Sequence, residues 1–140
     1  MNRLHHFLFA KTQYNIQSPF MYDLYENVLA PKLDKPTMAR MGIGRRDRYG
    51  QLCYKLADHY GATETGAEPT LDGADTVLAT RNDGLIGMVR QPHGNRSSEK
   101  QWSRLVKEHE VTLSVDLYDI GLVFTSKRLS KQHILFREFL

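Results

Sequence analysis

The run from Leu85 to Phe124 limits the possible folds more than any other part of the chain. Leu85-Ile86-Gly87-Met88-Val89 is a short apolar segment, and Gln91-Pro92-His93-Gly94-Asn95 behind it is a cluster of turn-forming residues. From Ser98 to His109, residues Trp102, Leu105, Val106 and His109 recur at helical spacing and share one face. In the segment Val111 to Tyr118, alternation places Val111, Leu113, Val115 and Leu117 on one side of a half-buried strand. Thr112, Ser114, Asp116 and Tyr118 fall on the other side. Gly121-Leu122-Val123-Phe124 follows so closely that the chain must reverse between the two. The order is strand, helix, strand, returning strand. It predicts a right-handed parallel crossover with an antiparallel strand appended, and hence an α/β fold.

These residues resemble the C-terminal end of small class I S-adenosylmethionine-dependent methyltransferases. Chains of that family end in a strand, a turn with Asp-Asp-Ile-His, a helix with an inward Trp, and then Val-Thr-Val-x-Ile-Asp-Leu-Phe-x-Ile-Gly-Leu-Val-Phe. Here Trp102 stands at the helix position, and Asp116, Leu117, Ile120 and Gly121 are in register in the closing segment. Tyr14-Asn15-Ile16-Gln17-Ser18-Pro19-Phe20-Met21-Tyr22-Asp23-Leu24 is similar to the family's N-terminal Tyr-x-Ile-His-Ser-Pro-Phe-Val-Tyr-Asp-Phe. Tyr49-Gly50-Gln51-Leu52-Cys53-Tyr54-Lys55-Leu56 is similar to its Tyr-Gly-Gln-Leu-Leu-Phe-Arg-Leu. The resemblance covers both ends of the chain and one helix between them. It implies a reduced Rossmann-like methyltransferase sheet, mixed by its C-terminal antiparallel strand and packed with helices. It also implies S-adenosylmethionine as the cofactor of an active form, and a small-molecule acceptor.

The middle departs from that pattern. The family's cofactor site needs an apolar strand, a Gly-rich turn that lets the backbone approach the ligand, and an acidic residue for the ribose hydroxyls. Ala62 to Asp75 has no apolar strand before Gly66 and no Gly-x-Gly, and it carries Glu64, Glu68, Asp72 and Asp75 without a basic residue. It reads as an acidic surface loop. The paired carboxylates expected after the next strand are replaced by Arg90 and Gln91, and His93 alone remains of Asp-Asp-Ile-His. His93 is the candidate catalytic base, against the plainer reading of a solvent-facing turn histidine. Arg90, Asn95 and Arg96 join it as a cationic lip beside a helix start, a candidate substrate or anion site.

Arg3 to Lys11 suits a short helix, and His5-His6 reads as part of a frayed terminal turn, since adjacent residues diverge and no further ligand is close. Ser18-Pro19 starts a helix that Pro31 ends, with Phe20, Leu24 and Val28 as its stripe and Met21, Tyr25 and Leu29 beside it. Such a stripe docks on a sheet; in the family's terms it covers a substrate pocket. Tyr49, Leu52, Cys53, Leu56 and Tyr60 mark a second amphipathic helix stopped by Gly61, with Cys53 an inert thiol on its apolar face. In Lys32 to Arg48, Gly42-Ile43-Gly44 precedes Arg45, Arg46 and Arg48 and can be drawn as a phosphate cradle. No strand precedes it and no Lys-Ser or Lys-Thr follows, so a solvated basic loop is expected. Thr76 to Thr80 is a strand, joined to Leu85–Val89 through Asn82-Asp83-Gly84 as a hairpin or left as a remnant of a parallel sheet. Lys127, Arg128 and Lys131 form a basic connector to His133–Phe139, which reads as a last strand or a short helix, its alternation favouring the strand. The chain thus divides into an N-terminal helical segment (1–35), a basic linker (36–48) and a shortened methyltransferase-like α/β domain (49–140), together one compact unit.

With 140 residues, 41% of them hydrophobic, the chain can bury one real core. A formal charge of +3 permits an anionic partner without demanding one. The lone Cys53 excludes an internal disulfide and suits a reducing compartment, and no apolar stretch approaches membrane-spanning length. A cytoplasmic location without membrane attachment is expected. Two functional readings follow. The first is a degenerate or shortened methyltransferase-like protein with little or no activity alone, prone to self-association through exposed sheet edges. The alternative is a nucleic-acid or polyanion binder, or an interaction module without catalysis. Its support is Arg40, Arg45, Arg46 and Arg48 together with Arg90, Arg96, Lys100, Arg104 and Lys107. No residue set points to a metal.

Overall fold

A computed structural model describes Arg3, His6, Ala10 and residues 18–66, 68–81 and 84–136. Its helices are α1 (Pro19–Leu24, continued by a π-helical turn, Tyr25–Leu29), α2 (Lys35–Met41), α3 (Arg48–Tyr60) and α4 (Arg96–Lys107). Its strands are β1 (Thr63–Glu64), β2 (Thr76–Ala79), β3 (Leu85–Arg90), β4 (Leu113–Asp116), β5 (Ile120–Phe124) and β6 (Gln132–Leu135). They form one mixed sheet in the order β1-β2-β3-β5-β4-β6. Both β3 and β4 pair antiparallel with β5, so β3 and β4 run parallel with the returning strand inserted between them. β6 adds parallel to β4 at the edge.

Each helix starts where its sequence satisfies the free backbone N–H groups. Ser18 caps α1, Asp34 accepts from Thr37 N at 2.8 Å, Asp47 accepts from Gly50 N at 2.9 Å, and Asn95 accepts from Ser98 N at 2.8 Å. The sheet is covered on both sides because alternate residues of the same strands face opposite ways. Met88, Leu122 and Val115 stand in one row across β3, β5 and β4, and all three are fully buried beneath α1 and α3. Met21, Leu24 and Val28 of α1 and Leu52 and Leu56 of α3 fill the space above them. The opposite face receives α4 through Trp102 and Leu105, which pack with Val89, Val123, Val77 and Leu71. Each fully buried Leu or Val here contributes roughly 1.5–3 kcal/mol of transfer free energy. Among the described residues no helix is long and apolar enough to cross a membrane.

The expected α/β architecture and parallel crossover are present, and so are the three helices read from periodicity, with ends shifted by a residue or two. Of the two readings for Thr76–Thr80, the chain takes the hairpin: Thr76 faces Met88 and Ala79 faces Leu85 in an antiparallel pair. The stretch read as a basic linker contains α2, capped by Asp34 and ended by Gly42 at φ 69°. Within the expected acidic loop, Thr63 and Glu64 pair with β2. The last strand spans Gln132–Leu135, Phe136 continues its pairing by donating its N–H to the Asp116 carbonyl at 2.9 Å, and residues 137–139 of the expected segment lie outside the described residues. Most of the Arg3–Lys11 helix and His5 also lie outside them, but Arg3 and His6 are helical. His6 is not part of a frayed turn. It is 5% exposed and bonded to the body of the fold.

Candidate functional site

Parallel β3 and β4 release their chains at the same end of the sheet, where ligands commonly bind in α/β proteins. The β3–α4 turn and the β4–β5 turn therefore meet, joined by Gln91 N–H donating to the Asp119 carbonyl at 2.9 Å. On the α4 side, Val89, Gly121 and Asp116 occupy one row of the sheet. Trp102 lies directly on Gly121: a Cβ there would sit 2.5 Å from the ring Cζ3. That close approach brings the first half of α4, and the turn before it, down onto Asp116.

Asp116 is 1% exposed and is saturated with partners. His93 Nε2 donates to its Oδ2 at 2.5 Å, and the Tyr118 N–H donates to its Oδ1 at 2.8 Å. His6 Nε2 donates to its backbone carbonyl at 2.8 Å, which requires the proton on Nε2. The His93 side chain is 5% exposed, and its Nδ1 stands 3.5 Å from Glu99 Oε2 with no hydrogen-bond partner among the described residues. The Tyr118 ring stacks on His93 at 5.4 Å between centroids and carries the Arg3 guanidinium at 4.5 Å. Tyr118 (φ 76°) and Gln91 (φ 47°) both adopt left-handed backbone conformations. For side chains of their size this costs on the order of 1 kcal/mol each, so the surrounding contacts must hold them there.

The electrostatics follow from burial and pairing. Burial alone would make His93 less basic, but the hydrogen bond and charge of Asp116, joined by Glu99, outweigh it and raise the imidazole pKa. Burial alone would raise the pKa of Asp116. The hydrogen bond and charge of His93, the Tyr118 N–H and His6 outweigh it and hold the carboxyl below its ordinary range. Each partner thus favours the charged form of the other. One row further along β4, Ser114 Oγ lies 2.7 Å from His133 Nδ1. That is a nucleophile–base contact in form, but Ser114 is 1% exposed, so a substrate carbonyl has no access to it.

The candidate residues are not gathered into one lip. Arg90 turns to the α3 side of the sheet, with its guanidinium 3.7 Å from the centre of the Tyr49 ring. His93 turns to the α4 side and inward, away from solvent. Asn95 caps α4, and Arg96 is exposed in its first turn. The acid partner absent from the sequence reading is Asp116, and the second missed residue is His6. Neither His93 nor Asp116 lines the cavities of 290, 480 and 800 Å³ bordered by described residues.

The stretch where S-adenosylmethionine would bind does not fit that ligand. β1 is a two-residue strand antiparallel to β2, not a strand leading into a Gly-rich turn and helix. A Cβ placed on Gly66 would meet no protein atom within 4 Å. Asp75 accepts from the Arg90 N–H at 2.7 Å. Comparison with known proteins finds no family model, no curated protein and no solved structure that matches the chain.

Proposed function

We propose that this chain is a shortened relative of the class I S-adenosylmethionine-dependent methyltransferases that keeps their closing sheet and lacks a self-sufficient methyl-transfer site. Its role is to bind, and methyl transfer would need a second polypeptide to supply the cofactor cradle. The observation that carries this reading is the seat of Trp102 on Gly121 between parallel β3 and β4. Two residues that the family pattern puts in register are the two whose contact sets how α4 docks. A Rossmann-like origin of the sheet belongs to the same reading, supported by the α4 crossover and the inserted antiparallel strand.

Methyl transfer gains its rate from holding donor and acceptor in line, and the described residues of the Ala62–Asp75 stretch form no strand leading into a Gly-rich turn to cradle the donor. The His93–Asp116 pair has the chemistry of a general base but turns inward. Calorimetric titration of the full chain with S-adenosylmethionine and its demethylated product tests the reading. No saturable heat is expected from the chain alone. Micromolar binding of either would overturn the claim that the site is incomplete, and would call for acceptor screening.

A further inference from the structure

We infer that the groove between α1, α2 and α3 is a binding site for a small polyphosphorylated ligand with an apolar body, of the nucleoside polyphosphate class. The groove has a volume of 480 Å³, within the usual range of small-molecule sites. Its described lining contains Lys32, Arg45, Arg46, Arg48 and Lys55 and no carboxylate. Arg48 also binds both oxygens of Asp119 at 2.7–2.8 Å, and Lys55 donates to the Pro31 carbonyl at 2.9 Å, so the cations a ligand would meet first are Lys32, Arg45 and Arg46. An anion with several charges entering the groove meets Lys32, Arg45 and Arg46 from its two sides.

The cations are presented on a fixed backbone. Gln51 Nε2 donates to the carbonyls of both Gly44 and Arg45 at 2.9 and 3.0 Å. Ile43 N–H returns to the Met38 carbonyl, and Asp47 N–H to that of Gly44. Arg45 and Arg46 are exposed at the end of this braced turn, so little backbone order is left to lose on binding. Guanidinium groups suit phosphate oxygens by geometry as well as charge. Leu29, Leu33 and Met38 add an apolar wall that inorganic phosphate would leave unused.

A nucleic-acid strand fits less well. Arg104 and Lys107 lie on α4, across the sheet from the groove, and cannot extend one backbone track with Arg45 and Arg46. The ligand also differs from S-adenosylmethionine, which carries no phosphate, so this site and the preceding proposal stand or fall separately.

The test is calorimetric titration of the full chain with adenosine triphosphate, inorganic tripolyphosphate and a short oligothymidylate. Variants R45A and R46A are compared with an Arg104→Ala/Lys107→Ala control; all four side chains are exposed, so the fold should persist. Saturable binding of adenosine triphosphate is expected, weaker binding of tripolyphosphate, and a loss of about tenfold in affinity for each groove substitution. The α4 control should leave it unchanged. Absence of saturable binding, or binding indifferent to Arg45 and Arg46, overturns the proposal. So does preferred binding of oligothymidylate that weakens in the α4 variant, which would mark an open polyanion surface instead.

Discussion

The two faces of the sheet are built from alternate residues of the same strands and are held in different ways. Beneath α1 and α3 the contacts are apolar from Met88 through Leu122 to Val115. Beneath α4 a smaller apolar cluster sits beside a polar line of His93, Asp116, Ser114 and His133. Apolar packing is non-directional and tolerates small shifts, whereas a buried ion pair depends on each partner staying in place. The difference teaches that position on one strand can set the kind of interaction: Val115 and Asp116 are neighbours in sequence and belong to different cores.

Removing one partner of the ion pair should have the largest effect. Asp116→Ala leaves His93 buried without its carboxylate and releases Tyr118, at an expected cost of about 3–5 kcal/mol by urea unfolding. On the apolar face, Leu56→Ala should cost about 3 kcal/mol, with a cavity and no change in pH dependence. If the two variants show the same pH profile, the contrast between the faces fails. Gly121→Ala drives a methyl group into Trp102 and should cost roughly 1–3 kcal/mol, with a change in Trp fluorescence, because this is the chain's one Trp.

The pH profile sharpens the contrast further. Folding raises the His93 pKa, so its contribution is complete below the ordinary 6.5 and is lost as pH climbs through the raised value. Folding lowers the Asp116 pKa, so its contribution is present above the ordinary 3.8 and is lost as pH falls through the depressed value. Stability from the pair is greatest between those two limits. Unfolding midpoints across neutral to basic pH should decline, and His93→Gln should flatten that decline. The smallest expected effect is at the start of α4, where Asn95→Ala should cost about 1 kcal/mol by thermal unfolding.

Elements with a strong period were legible in the sequence. Tyr49, Leu52 and Leu56 on α3, Trp102 and Leu105 on α4, and the alternation of β4 each state which face is buried. α2 was also within reach, because Asp34, Pro36 and Gly42 are a cap, a first-turn proline and a left-handed stop around a short helix without buried residues. The pairing of His93 with Asp116 was not. The partners lie 23 residues apart, and only the sheet order, with β5 between β3 and β4, brings the two turns together. His6 reaches Asp116 across 110 residues, and its neighbours have no pattern that announces burial. The groove cations were legible as a charge run. That Lys32 and Lys55 face the same space depends on how α1 and α3 pack.

His93 and Asp116 form an internal fastener between the β3–α4 turn and the end of β4. The most direct test is an NMR pH titration of the His93 imidazole in the native chain and in Asp116→Asn. A pKa above 6.5 in the native chain that falls in the variant is predicted. A His93 that titrates at or below 6.5, unchanged by loss of the carboxylate, would contradict it.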